Sequence, residues 1–183
     1  MDINFIVNIT ARAWAIPILA EMHNGIAGRQ APLLAATGAT RTAFAQSMGH
    51  LIDMNLLERN PGYGHPLRPE FRLTELGKNA ARLAHTIQAA ANGQGHDILR
   101  RSWTVPILTA LHQPTRFNDI KRTLPQISDR ALSQSLRGLE NTRWVHRTVD
   151  SAARPPIPHY ITVNIGRKIS RATCQSMANW QSQ

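Results

Sequence analysis

From residue 98 to residue 111 the apolar side chains Trp103, Ile107, Leu108 and Leu111 recur at three-to-four spacing, which predicts a helix. Pro106 lies inside that stretch and marks a kink or a late helix start. A second, short helix is predicted over 116–124 from Phe117, Ile120 and Leu124, and Pro125 stops it. Ser128 suits the N-cap of a third helix reaching Asn141, with Ala131, Leu132, Leu136 and Leu139 facing inward. The spacing then changes from helical to alternating. Residues 144–149 predict a strand, 150–158 a proline-bearing loop, and 159–163 a second strand. Gly166 precedes a last helix to about Trp180.

The first half of the chain repeats this order. Trp14-Ala15-Ile16-Pro17-Ile18-Leu19 stands 89 residues before Trp103-Thr104-Val105-Pro106-Ile107-Leu108, and the same offset joins Phe71 to Tyr160 and Gly77 to Gly166. Between these anchors, Leu56-Leu57-Glu58-Arg59 matches Trp144-Val145-His146-Arg147 at an offset of 88. A period this long is a duplicated domain rather than a solenoid unit. The first copy predicts a second helix over 30–36. A third helix follows, capped by Thr40, with Phe44, Met48, Leu51 and Ile52 inward. A hairpin (57–59 and 71–73) comes next, around the loop Pro61 to Pro66, and then a helix to about Ala91. Asn92-Gly93-Gln94-Gly95 reads as the linker. The expected fold class is mainly α with small β-hairpins (α+β), as two tandem winged helix-turn-helix domains over 1–92 and 93–183. A third helix of this length suits a major groove, with the hairpin reaching the backbone or minor groove beside it.

Charge sharpens the picture. The chain carries a net +10, and 18 of its 21 basic residues are arginine. Residues 1–92 hold eight Lys and Arg against six Asp and Glu, whereas 93–183 hold thirteen against five. This balance points to a polyanion, nucleic acid first and a membrane surface second. The longest apolar run, Ala13 to Ala20, is eight residues and contains a proline, far short of the roughly 20 a membrane span needs. The N-terminus lacks a signal-peptide layout, and one cysteine, Cys174, fits a reducing, cytoplasmic setting. No phosphate loop, nucleophile elbow or dinucleotide fingerprint is present, and the carboxylates are scattered, so no enzyme is expected. The eight histidines include no His-x-x-x-His pair, so neither metal nor cofactor is expected.

The second copy resembles the HxlR-type winged-helix transcriptional regulators. The residues that carry the likeness are Trp103 to Leu108, Arg116-Phe117-Asn118-Asp119-Ile120, and Leu124-Pro125-Gln126-Ile127-Ser128-Asp129-Arg130-Ala131-Leu132-Ser133-Gln134-Ser135-Leu136. The likeness covers about 100–168. It departs at Thr162-Val163-Asn164, where the family has Leu-Thr-Glu. The first copy keeps Phe71 to Gly77 and Leu56 to Arg59 but offers Thr40-Arg41-Thr42 where the second has Ser128-Asp129-Arg130. The resemblance implies sequence-specific binding of double-stranded DNA, normally by homodimers with one winged helix per half-site. A tandem chain would then be a covalent pseudo-dimer. The alternative is an interaction or effector-sensing module in which only the second domain touches DNA.

On this reading Arg130, Ser133, Gln134 and Arg137 contact base edges, because Arg pairs with guanine and Gln with adenine. Ser128 joins them at the helix start. Arg41, Thr42 and Gln46, with His50, are the first-copy counterparts. Arg147, Arg154 and Arg68 sit in or beside the wings, and Arg116, Lys121 and Arg122 on the second helix face phosphates. The competing reading for each is an ordinary solvated surface. Trp14 and Trp103 are expected in the core and Cys174 in inert packing. A second copy of the chain and a small-molecule effector stand as further partners, with no membrane among them.

Overall fold

The computed structural model describes residues 2–60, 69–150 and 156–181. They form two compact units, one of residues 11–88 and one joining the residues up to Thr10 to those from Ala89 onward. The division therefore falls between Gln88 and Ala89 rather than at the predicted boundary of 92/93, and residues 2–10, expected in the first domain, belong to the second unit.

The segment responsible is a helix not predicted from the pattern, α1 (Ile3–Ile9). Asp2 caps it, accepting the Asn4 backbone N–H at 3.3 Å. The Asn4 side-chain amide, 2.6 Å away, helps hold the Asp2 carboxyl below its usual pKa. Ile6, Val7 and Ile9 are buried, and α1 packs on the second unit's helix α7 (Thr104–Ala110). Thr10 donates its hydroxyl to Ser102 O at 2.8 Å, just before that helix.

The first unit comprises α2 (Ala15–His23), α3 (Gln30–Thr37), α4 (Arg41–Asp53), β1 (Leu57–Asn60), β2 (Glu70–Leu73) and most of α5 (Glu75–Ala91). Strands β1 and β2 pair antiparallel with Leu57 opposite Leu73. The core gathers Ile18, Leu19, Leu33, Phe44, Met48, Leu51 and Ile87, whose removal from water drives the fold at about 1.5–3 kcal/mol each. Thr40 caps α4, as its sequence suggests, accepting the Ala43 N–H at 3.3 Å.

The second unit adds α6 (His96–Leu99), α7, β3 (Thr115–Arg116), α8 (Phe117–Thr123), α9 (Asp129–Asn141), β4 (Val145–Asp150), β5 (Ile157–Thr162) and α10 (Asn164–Gln181). The single helix expected over 98–111 is thus two, broken before Trp103. Pro106 explains the restart: as the third residue of α7 it needs no intrahelical N–H partner, whereas in a longer helix its ring would meet the Ser102 carbonyl. Trp103 caps α7 and Trp14 caps α2, and both are half-buried rather than in the core. Among the described residues the buried tryptophan is Trp144, 4% exposed. Arg116 lies in β3 and at the N-cap of α8, not inside the helix. The sheet order is β3-β5-β4, so β5 is central. Pro158, expected in a loop, sits in β5 opposite Val149, beyond the two residues that β3 pairs. There β5 has a ladder partner on one side only, so the missing N–H costs little. The last helix begins at Asn164, ahead of Gly166.

The units share local geometry position by position. Helices α4 and α9 are each 13 residues long, with caps Thr40 and Ser128 at an offset of 88. After them Asn55 (φ 56°) and Arg143 (φ 57°) take the left-handed conformation. The Leu56 N–H then bonds Leu51 O and the Trp144 N–H bonds Leu139 O, both at 2.9 Å. Gly77 and Gly166 press on the next carbonyls: an added Cβ would lie 1.9 Å from Leu56 O and 2.2 Å from Trp144 O. Gly166→Ala is therefore expected to destabilise the chain by about 1–3 kcal/mol in urea unfolding. Gly49→Ala, in α4 with nothing within 4 Å, is expected to stabilise it by up to about 1 kcal/mol. Equal effects would refute this packing.

Candidate nucleic-acid interface

Helix α9 presents the candidate surface of the second unit. Leu132, Leu136 and Leu139 are buried, fixing the helix by one face. Arg130, Gln134, Arg137 and Asn141 are exposed opposite them, with Ser133 half-buried. The Ser128 hydroxyl accepts the Ala131 N–H at 3.2 Å. Its oxygen is thus engaged in holding the first turn, which aims Arg130. Arg130, Ser133, Gln134 and Arg137 line one open groove of about 550 Å³ together with Gly138, Asn141 and Arg101. Among the described residues no carboxylate lines it. Among the described residues Arg101, Arg130 and Arg137 form no ion pair.

Arg101 escaped the sequence reading. It stands in the turn before α7, 37 residues from Gly138, and only folding brings it to α9. The available signal was the glycine inside a strongly amphipathic helix, which leaves room for a side chain from elsewhere.

Other basic residues are engaged within the unit. Lys121 donates to Ile127 O and lies 3.6 Å from an Asp129 carboxylate oxygen, so it ties α8 to the start of α9. Arg122 pairs with Asp119 one turn earlier. Both were expected to face phosphates, and each has an acidic neighbour in the structure. Arg116 donates its Nε–H to His159 Nε2 at 3.3 Å across β3 and β5. Arg147 is exposed on β4, opposite Tyr160, and lines a separate groove of about 690 Å³ with Arg143 and His146. Arg68 and Arg154 lie outside the described residues, as does the loop Pro61 to Pro66.

In the first unit Arg41, Thr42 and Gln46 are exposed on α4, and His50 is half-buried. Counting from the two caps, Arg130 corresponds to Thr42, Gln134 to Gln46, Arg137 to Gly49 and Asn141 to Asp53. Both groove arginines carried by α9 itself are thus replaced by uncharged residues, and an acid enters at the far end.

His23 and His85 hold their rings 4.8 Å apart in the first unit. Burial first, then the charges of His85 and Arg82, push the His23 pKa down. Burial pushes the Cys174 thiol up, with Sγ 3.9 Å from Thr109 O, which disfavours the reactive thiolate. Among the described residues no cluster of three His, Cys, Asp or Glu is placed to hold a metal, and no helix is long and apolar enough to cross a membrane.

The profile of the HxlR-like helix-turn-helix family matches residues 98–183. The chain belongs to this family through its second half. The chain is 33% identical over 79 residues to the uncharacterized HTH-type transcriptional regulator YtfH of Escherichia coli K12, and equally to YtfH of Shigella flexneri. These alignments take in 43% of this chain and 61% of each relative. Among solved structures, the reduced form of the transcriptional regulator YodB from B. subtilis is 31% identical. The match covers 48% of this chain and 84% of YodB at a TM-score of 0.39. The oxidized redox regulator HypR is 30% identical, with 48% and 90% covered, also at 0.39.

Proposed function

We propose that this HxlR-like chain is a non-enzymatic, double-stranded-DNA-binding transcriptional regulator that reads sequence through α9. The observation carrying the reading is the acid-free groove in which Arg130, Ser133, Gln134 and Arg137 stand together without ion-pair partners among the described residues. Unpaired arginine and glutamine on a rigid helix are suited to guanine and adenine edges. Lys121 of α8 braces the start of α9, and Arg122 pairs within α8 with Asp119. The β4–β5 hairpin serves as the wing, with Arg147 directed to the backbone.

The first unit, in which α2, α3, α4, β1, β2 and α5 follow the order of α7, α8, α9, β4, β5 and α10, is a divergent winged helix. The replacement of Arg130 and Arg137 by Thr42 and Gly49 favours the reading in which α9 alone specifies bases. A pseudo-dimer would demand comparable recognition faces on both helices. Selection of bound duplexes from a random pool tests both statements. A single specified half-site is expected. Two equal half-sites would restore the pseudo-dimer, and no enrichment from any pool at low salt would remove the function itself.

A further inference from the structure

The α9 groove contains a feature that base reading does not use. Gly138 lies in the interior of α9, where glycine is about 1 kcal/mol less favourable than alanine. The space its missing side chain leaves is occupied from outside the helix: a Cβ there would lie 3.2 Å from Arg101 Nη1. The Arg101 backbone is fixed at both ends, its N–H donating to Ile98 O at 3.1 Å and its C=O accepting from the Thr104 N–H at 3.1 Å. The buried Thr104 hydroxyl also donates to Ile98 O, at 2.6 Å. Its neighbour Arg100 is paired with Asp97, so the turn's carboxylate is spent on the other arginine. Arg101 is exposed, and no ion pair holds it among the described residues. In the first unit the matching positions are Arg12 and His50, so a side chain fills the place of the glycine.

We propose that Arg101, seated over Gly138, forms a phosphate-binding notch that grips one phosphodiester of the DNA backbone while Arg130 reads the bases beside it. This rests on the α9 reading above. A guanidinium held on a fixed turn beside two further unpaired arginines offers a fork of N–H donors to a phosphate at little ordering cost. Phosphate contacts set register and carry no sequence preference.

The test uses the full chain, the selected duplex and an unrelated duplex of equal length, titrated across salt. Arg101→Ala is expected to weaken both by a common factor on the order of tenfold in dilute buffer. It should also lower the slope of log affinity against log salt by about 0.9, the share of one phosphate. Arg101→Lys keeps the slope, and Arg100→Ala leaves it unchanged. Gly138→Leu, which fills the notch with a good helix former, behaves like Arg101→Ala with no drop in Tm. An unchanged slope for Arg101→Ala, or full binding by Gly138→Leu, overturns the notch. If Arg130→Ala still weakens the selected duplex in that case, the α9 reading survives. If Arg130→Ala also binds as the parent does, both fall.

Discussion

Arg130→Ala is expected to cost the preferred duplex about 1–3 kcal/mol of binding, roughly 5- to 150-fold, and to cost an unrelated duplex much less. The size follows from the position. Arg130 is the second residue of α9, exposed, and without an acidic partner among the described residues. The neighbouring acid, Asp129, is turned to Lys121 at 3.6 Å. The Arg130 guanidinium therefore enters a complex with no internal pair to break, and its loss removes a bidentate contact to a base edge. Anisotropy titrations of both duplexes at several salt concentrations separate the outcomes. An equal loss on the two would make Arg130 a phosphate contact. No loss on either would remove α9 as the reading element. Thr42→Ala, at the matching place on α4, is expected to change neither.

Deleting residues 2–10 is expected to destabilise the second unit, although the rest of that unit begins only at Ala89. Ile6, Val7 and Ile9 are buried there at 0%, 8% and 1% exposure. At about 1.5–3 kcal/mol for each fully buried side chain, their loss approaches the whole stability of a small domain. Removing Thr10 also takes the hydroxyl from Ser102 O, in the turn that carries Arg101. Amide hydrogen exchange locates the damage: protection should fall in α7 and α10, which pack on each other, while α2 to α4 keep theirs. Ile6→Ala gives a milder version, about 2–5 kcal/mol. Loss of protection confined to α2–α4 would mean that α1 serves the first unit instead. A fragment beginning at residue 93 lacks α1, so weak DNA binding by that fragment would report incomplete folding rather than an incomplete site.

Where the signal is local, the sequence and the structure agree. Helix α9 runs from the residue after Ser128 to Asn141 as expected, because its cap and its leucine spacing act within one helix. Arg130, Gln134 and Arg137 share a face for the same reason. Strand β3 was out of reach: two residues hold no periodicity, and Thr115 and Arg116 are strand only because Tyr160 and His159 lie opposite. The tryptophans misled because matched aromatics suggest core, yet Trp14 and Trp103 end up as half-buried caps while Trp144 fills the interior. The apolar face of α1 was readable in Ile3, Ile6 and Val7, but periodicity identifies a face and not what covers it.

The chain's own order of residues determined the cap of α4, the limits of α9, the arginine excess and the outward row on α9, since caps and 3.6-residue spacing depend on near neighbours alone. Folding in three dimensions decided which cations stay available. Asp129 engages Lys121 across two helices, while Arg101 arrives beside Gly138 with no ion pair among the described residues. Ion pairing between elements depends on separations of a few ångströms, and neither a count of charges nor their order along the chain sets those separations.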